Sequence, residues 1–323
     1  MHGYILFWHI LTITYLAAAI SNSRHVSNII VFTPYIITIC FYIFRNKSVT
    51  NPSKAKFFDG IKMGGHRGSP HEAPENSIEG FKKARSSKCE LVEFDVHLTS
   101  DGVPVLIHDE TTARTSNEDL TVSEVTSSDL KNIPLNAVNG VEGQIPTLYE
   151  AVDWCKKNNM KMIIDVKKGD RKLIEALTMT IRKRNLYDKA IISSFDPFVP
   201  FRVKKIDENI LTGFTSRSGH LSHEEDHRRL IRGYSKLWLT IYLIIDDLID
   251  LGIRTFALPN FLGVDLLLLH HKNVNSYLVE DALRNQIHVF TWTVNDPKEA
   301  RFLRSINVPF LTDVPQLMQE TNK

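Results

Sequence analysis

No sign of charge dominates this chain: 39 lysines and arginines against 37 aspartates and glutamates leave a formal net charge of +2. That balance excludes a dedicated nucleic-acid binder, in which a basic excess would be needed to gather phosphates. Cysteine is scarce too, and Cys40, Cys89 and Cys155 do not make a disulfide framework. Low-complexity tracts and short repeats are absent. No G-x-G-x-x-G or Walker sequence follows a strand, so the phosphate loops of the nucleotide-binding folds are missing. What is present is a chain of 323 residues, 43% hydrophobic and 24% charged, which are the proportions of a folded globular protein of one large or two ordinary domains.

Two uncharged apolar runs open it, residues 4–20 and 29–44, the second containing Pro34. Each is near the lower length limit for crossing a bilayer. Residues 1–50 therefore read as a membrane hairpin or anchor, with a signal sequence followed by one span as the alternative reading of the first run. The expected location is a plasma membrane or endomembrane, with membrane lipid as a partner. Arg45, Lys47, Lys54 and Lys56 after the second run favour a cytoplasmic main domain, whereas the sequon Asn46-Lys47-Ser48 points to the other side. The topology stays open. Residues 51–60 read as a linker, and 61–323 as the main domain.

From residue 61 onward strands alternate with helices, the mark of a parallel α/β fold. The expected strands are 61–65, a first half of 90–109, 103–107, 160–166, 190–194, 210–214, 255–258 and 287–293. Eight strand signals with helices between them favour a (β/α)8 TIM barrel over an open sheet. Residues 109–145, rich in Thr, Ser and Asn and without a clear period, read as an insertion after the third strand. Residues 237–253, LWLTIYLIIDDLIDLGI, imitate a membrane span. Each of Asp246, Asp247 and Asp250 would cost roughly 3 kcal/mol at a bilayer centre, however. An amphipathic barrel helix, able to rest on a membrane surface, is the better reading.

The stretch ELVEFDVHLTSDGVPVLIHD, residues 90–109, organises the candidate site. Alternation along its first strand puts Val92, Phe94 and Val96 on one face and Leu91, Glu93 and Asp95 on the other. Unpaired buried carboxylates are costly, so something cationic is expected between them. The strand 160–166 repeats the device, with Ile163, Asp165 and Lys167 pointing in. Barrel strands deliver functional side chains at their C-terminal ends. This brings His66 and Arg67, Glu93 and Asp95, His108, and Asp165 and Lys167 towards one point. Three carboxylates suit one hard divalent cation, Mg²⁺ or Ca²⁺, whereas zinc would more often show a His-rich or Cys-rich set. Arg67 and Lys167 suit a phosphate. His66 and His108 are candidates for general acid and base.

MGGHRGSPHEAPENSIEGF, VEFDVHLTSDGVPVLIHD, IIDVK, SSF and FTWTVN occur in this order, and in this the chain resembles the glycerophosphodiester phosphodiesterase family. The resemblance runs from about residue 63 to 315. It is most similar to the membrane-associated branch that includes glycerophosphoinositol phosphodiesterase. The resemblance implies a TIM barrel with a small insertion after the third strand. It also implies metal-dependent hydrolysis of glycerophosphodiesters to glycerol 3-phosphate and an alcohol. By it, Glu93, Asp95 and Asp165 are metal ligands, His66 and His108 the acid–base pair, and Arg67 and Lys167 phosphate contacts. Phe195 and Trp292 match aromatic positions near the glycerol pocket. Two departures stand out: Asp165 where most of the family has Glu, and PENS for the commoner PENT. Neither removes a needed chemical group. A lysophospholipase D acting on lysophospholipids or glycerophospho-N-acylethanolamines through the same site is the alternative, and an inactive membrane adaptor a third reading.

Overall fold

The computed structural model describes residues 24–224, 229–231 and 233–320, which fall into two compact units. The smaller contains α1 (Arg24–Phe44) and residues 219–263; the larger is formed by residues 48–218 and from 264 onward. In chain order the larger unit starts with α2 (Pro52–Phe58), β1 (Met63–Gly65), α3 (Ile78–Ser86), β2 (Leu91–Leu98) and β3 (Pro104–Leu106). There follow α4 (Ser127–Lys131), β4 (Pro134–Val138), β5 (Val141–Gln144), α5 (Leu148–Lys157), β6 (Lys161–Val166), α6 (Arg171–Arg184), β7 (Ala190–Ser194), α7 (Phe198–Ile206) and β8 (Leu211–Ser216). The chain then passes through α8 (Lys236–Arg254) and α9 (Ala257–Leu262) of the smaller unit. It returns for β9 (Leu266–His270), α10 (Ser276–Arg284), β10 (His288–Trp292), α11 (Pro297–Ser305), β11 (Phe310–Thr312) and α12 (Pro315–Glu320).

Side-chain chemistry sets the helix starts. Ser77 accepts from the Gly80 N–H and caps α3, Thr147 and Glu150 form a capping box at α5, and Asp170 accepts from two N–H groups at the start of α6. Each cap satisfies backbone donors that have no partner inside the helix.

Strands β1, β2, β6, β7, β8, β9, β10 and β11 pair in that order, all parallel, and β1 contacts both β2 and β11, so the ring closes. This is the expected (β/α)8 barrel. Its interior holds Leu91, Ile163, Ile191, Leu211, Leu266 and Phe290 in one buried cluster, while Phe94, on the other face of β2, packs on Phe81 of α3 at 5.4 Å. The alternation expected for β2 is thus realised.

Two strand expectations need correction. β3 is antiparallel to β2 and is no barrel strand; the eighth place belongs to β11, too short at three residues to leave a period. Residues 255–258 are not a strand: Thr255 ends α8, and Phe256 takes a left-handed conformation (φ 57°) and leads into α9. The strand there is β9, whose LLLLH run is equally compatible with a helix. The insertion read at 109–145 holds α4 and the antiparallel pair β4–β5, over a small core of its own with Val122, Leu130, Ile133 and Leu135.

Residues 51–60, read as a linker, hold α2, and Val49 and Phe57 join the interior cluster of the barrel. Asp265 anchors the same segment. It is fully buried and accepts from the Val49 N–H at 2.7 Å, the Thr212 N–H at 3.0 Å and Lys204 Nζ at 2.8 Å, with Lys54 Nζ at 3.2 Å.

In the smaller unit the end of α1 meets α9. The Asn46 N–H donates to the Phe261 carbonyl at 2.9 Å, and Phe41 lies 5.6 Å from Phe261. Gly263 (φ 71°) passes so close that a Cβ would lie 2.8 Å from Asn46 backbone carbon, so only glycine fits. Among the described residues no helix is long and apolar enough to cross a membrane. The run 29–44, inside α1, is shorter than the roughly 20 residues a span needs; the run 4–20 lies outside the described residues. Nor is 237–253 a barrel helix: α8 belongs to the smaller unit.

Candidate active site

Site side chains are set by tight turns at the strand ends. After β1 the chain turns through His66-Arg67-Gly68, where a Cβ on Gly65 would lie 2.0 Å from the Gly68 carbonyl oxygen, and Gly68 itself has φ 88°. Arg67 and Asn76 both adopt left-handed backbone (φ 52° and 53°), and the Asn76 N–H donates to the Arg67 carbonyl at 2.9 Å. That bond ties the PENS loop to the turn after β1, and the Asn76 side-chain carbonyl, accepting the Asp95 N–H at 3.0 Å, ties it to β2.

Glu93 and Asp95 lie two residues apart on β2, and Asp165 is the register neighbour of Asp95 on β6. All three are buried. Asp95 is richly partnered: Lys167 Nζ reaches Oδ1 at 2.8 Å, Arg67 Nε stands 3.3 Å from Oδ2, and Asn76 Nδ2 donates to Oδ2 at 2.9 Å. Burial opposes its charge, but Lys167 and Arg67 outweigh it and hold the carboxyl well below the usual range. Asp165 takes Lys167 Nζ at 2.8 Å on Oδ2, and Ser193 and Thr215 donate to Oδ1 at 3.2 and 3.4 Å. Lys167 is correspondingly raised, its burial overcome by Asp165 and Asp95. Glu93 is the odd one. It accepts the Arg67 N–H at 2.9 Å and has His66 Nε2 at 4.0 Å. Burial and then the charge of Asp95 push its carboxyl up to about 7.

His66 follows β1, its Nδ1 bonded to Asp313 Oδ1 at 2.7 Å. Burial works against its charged form, but the Asp313 bond and Glu93 prevail, so it is raised. His108 follows β3, with Nδ1 bonded to Asp109 Oδ1 at 2.6 Å; burial, helped by Lys167 and Arg67 against Asp95, lowers it. Glu93, Asp95, Asp165, Arg67, Lys167 and His66 thus form one connected set of contacts, and His108 and Asp95 sense each other's charge. Phe195 and Trp292 meet edge to face at 5.4 Å, and the Trp292 indole N–H donates to the Leu268 carbonyl at 3.2 Å.

A family model described as the glycerophosphoryl diester phosphodiesterase family matches residues 66–317, from the first of these histidines to beyond Asp313. The chain belongs to that family. It is 30% identical over 263 residues to the human protein called glycerophosphodiester phosphodiesterase 1, covering 79% of this chain and 78% of that protein. Among solved structures, a glycerophosphoryl diester phosphodiesterase described as putative, from Silicibacter pomeroyi, superposes with a TM-score of 0.65 at 20% identity, covering 83% of this chain and 96% of that one. A phosphodiesterase from Oleispira antarctica, solved with the product sn-glycerol-3-phosphate, gives a TM-score of 0.58 at 23% identity over 81% of this chain and 96% of the other. The chain is therefore a phosphoric diester hydrolase by family, on the barrel that such enzymes share.

In this phosphodiesterase several site residues escape a reading of strands alone. Asp313, directly after β11, binds His66 and is itself held by Asn295 Nδ2 at 2.7 Å. Asp109 binds His108 and accepts from Arg114 Nε at 2.6 Å, and Arg114 reaches Glu75 with both terminal nitrogens at 2.7 and 2.8 Å. His270, at the end of β9, stands edge-on to Trp292 at 5.6 Å. Three of these carried a sequence signal: Asp109 beside His108, Glu75 within the quoted PENS motif and Asn295 at the end of FTWTVN.

Proposed function

We propose that this chain hydrolyses glycerophosphodiesters, such as glycerophosphoinositol, to glycerol 3-phosphate and an alcohol. The observation that carries the reading is two histidines and two cations, Arg67 and Lys167, gathered around three buried carboxylates at the ends of neighbouring strands. Arg67 Nε is buried 3.3 Å from Asp95 Oδ2 without making a hydrogen bond, so the guanidinium is held by charge alone on that side and can turn a donor to a phosphoryl oxygen.

By donor type the set suits one hard divalent cation, Mg²⁺ or Ca²⁺: Glu93, Asp95 and Asp165 would supply only carboxylate oxygens, and Glu93 has less compensating charge than burial demands. Among the described residues no three His, Cys, Asp or Glu side chains yet converge closely enough to hold a metal, and Lys167 neutralises two of the three carboxylates. When bound, the ion would stabilise negative charge on the phosphoryl oxygens.

The chain's own groups account for the proton transfers. The glycerol hydroxyl next to the phosphate ester is held close to phosphorus, an advantage of proximity over bulk water. One of His66 and His108 takes its proton as the new O–P bond forms; the other protonates the departing alcohol as the old O–P bond breaks. Water then opens the cyclic glycerol phosphate, with the two histidines in swapped roles. Lys167 and Arg67 balance the charge on the transferred group. Asp313 and Asp109 fix the imidazole tautomers by holding each Nδ1. Phe195 and Trp292 form an apolar wall for the glycerol carbons.

A lysophospholipase D acting on lysophospholipids or glycerophospho-N-acylethanolamines uses the same chemistry, and the apolar runs 4–20 and 29–44 favour membrane lipid as a partner, at a plasma membrane or endomembrane. The two substrate readings separate in one assay. Full-length protein with Mg²⁺ is offered glycerophosphoinositol and a lysophospholipid side by side, and both products are quantified. Faster release from glycerophosphoinositol supports the first reading; faster release from the lysophospholipid supports the second.

A further inference from the structure

Helix α8 is built inside out for water. Its apolar residues recur at 237, 241, 244, 248 and 251, the spacing of a single helical stripe. In a water-soluble helix that stripe faces the core. Here Leu237 is 69%, Ile244 54%, Leu248 61% and Leu251 51% exposed, with Trp238 beside them at 54%. The buried face carries Ile253 and, beside it, a carboxylate: Asp246 accepts the Leu221 N–H at 3.0 Å, the Ser222 N–H at 2.9 Å and the Ser222 hydroxyl at 2.5 Å. Asp246 is therefore committed to the smaller unit's interior, and the helix cannot roll to hide its stripe without breaking these bonds.

We infer that α8 is an in-plane membrane helix, with its Leu/Ile stripe sunk into the acyl side of a lipid headgroup region. The inference is independent of the catalytic reading. Three observations favour lipid over a second copy of the chain. The first is the breadth of the apolar surface. In the same unit α1 exposes Phe32, Ile36, Ile39 and Ile43 on one side and Ile37 and Phe44 further round. That is nearly half of a helix circumference, about 160° at 3.6 residues per turn, too wide for the seam of a two-helix contact. The second is an aromatic cluster at the amino end of α8, where Tyr242 meets Tyr234 at 4.9 Å and Trp238 at 6.2 Å. Amphipathic rings of this kind concentrate at membrane–water boundaries. The third is charge. Lys236 and Arg254 stand at the two ends of α8, and Arg45 follows α1 with its guanidinium 4.7 Å from the Tyr42 ring; these end cations can meet lipid phosphates, while the three aspartates of α8 all lie off the apolar stripe. Asp246, Asp247 and Asp250 exclude a crossing orientation for the same helix.

The test uses the full-length chain with Cys40→Ser as background, since Cys89 and Cys155 are buried. Single cysteines at Leu237→Cys, Ile244→Cys and Leu248→Cys carry an environment-sensitive fluorophore. Tyr277→Cys, 80% exposed in the barrel unit, is the aqueous control. The protein is reconstituted into phosphatidylcholine–phosphatidylserine vesicles. The expected result is a blue shift at all three α8 sites and none at 277, with stronger quenching by a spin label carried near the headgroup than by one near the acyl-chain end, equal across the three sites. Water-like emission at α8 overturns the proposal. So does deep quenching at 244 flanked by shallow quenching at 237, which marks a span. A blue shift that follows protein density rather than lipid assigns the stripe to a second copy, and one already present without vesicles assigns it to the chain's own apolar segments; either result also overturns it.

Discussion

The two units of this chain differ in what they leave on the surface. In the barrel unit Leu91 and Ile163 are fully buried in the interior, and the buried carboxylates Asp95 and Asp165 are matched by Lys167 and Arg67. In the helical unit Leu237 stands 69% exposed while Asp246 is 6% exposed. The lesson is that burial follows the surrounding medium. The barrel gathers its charged groups at its mouth; the helical unit, on the inference drawn above, turns its apolar stripe to lipid. Changes at the barrel mouth should therefore abolish turnover and leave lipid association intact.

The largest effect is expected at the histidines. His66→Ala or His108→Ala should lower turnover of a water-soluble glycerophosphodiester at least about 10²-fold, the low end for losing an acid or base, with vesicle association unchanged. Loss of vesicle association in either variant would break the division between the units. Next comes the cation. EDTA should abolish turnover and added Mg²⁺ or Ca²⁺ restore it, while Glu93→Gln should lose both turnover and the rise in melting temperature that the ion confers. Turnover persisting in excess EDTA would remove the ion from the account.

Two smaller effects probe the barrel's closed end. Phe57 is fully buried in the interior cluster, so Phe57→Ala should lower unfolding free energy by about 3–5 kcal/mol, read by denaturant titration. His288, stacked on Phe58 at 3.6 Å, is lowered to about 4 by burial and by Lys54. The unfolded histidine takes up its proton near the ordinary 6.5 and the folded one only near 4. Stability from this group is therefore fully present above 6.5 and is lost as pH falls towards 4. His288→Phe should flatten the fall in melting temperature across that window.

How much of this was legible follows from the period of each element. Glu93, Asp95, Asp165 and Lys167 were placed by simple alternation because barrel strands keep a strict period of two, and β2 and β6 pair in the register that alternation requires. His66 and His108 were legible as residues at strand ends. Asp313 was not, since β11 has three residues and no pattern. β9 was lost because four successive leucines do not distinguish strand from helix. Residues 237–253 were assigned to the barrel because an amphipathic stripe reports that one face differs from the other; it does not report which face is dry. The plug formed by Val49 and Phe57 was passed over as linker because its partners, such as Leu266 and Phe290, lie more than 200 residues away in sequence.

The central claim is that the barrel mouth turns the substrate's own hydroxyl on its phosphate. It is tested most directly by a pair of substrates: glycerophosphoinositol, and the same diester with the neighbouring hydroxyl deleted. Both are followed by phosphorus NMR with full-length protein and Mg²⁺. Internal attack predicts a transient cyclic glycerol phosphate and then glycerol 3-phosphate from the first, and no cleavage of the second. Cleavage of both at comparable rates would make water the nucleophile from the start, and cleavage of neither by folded protein would contradict the proposed function itself.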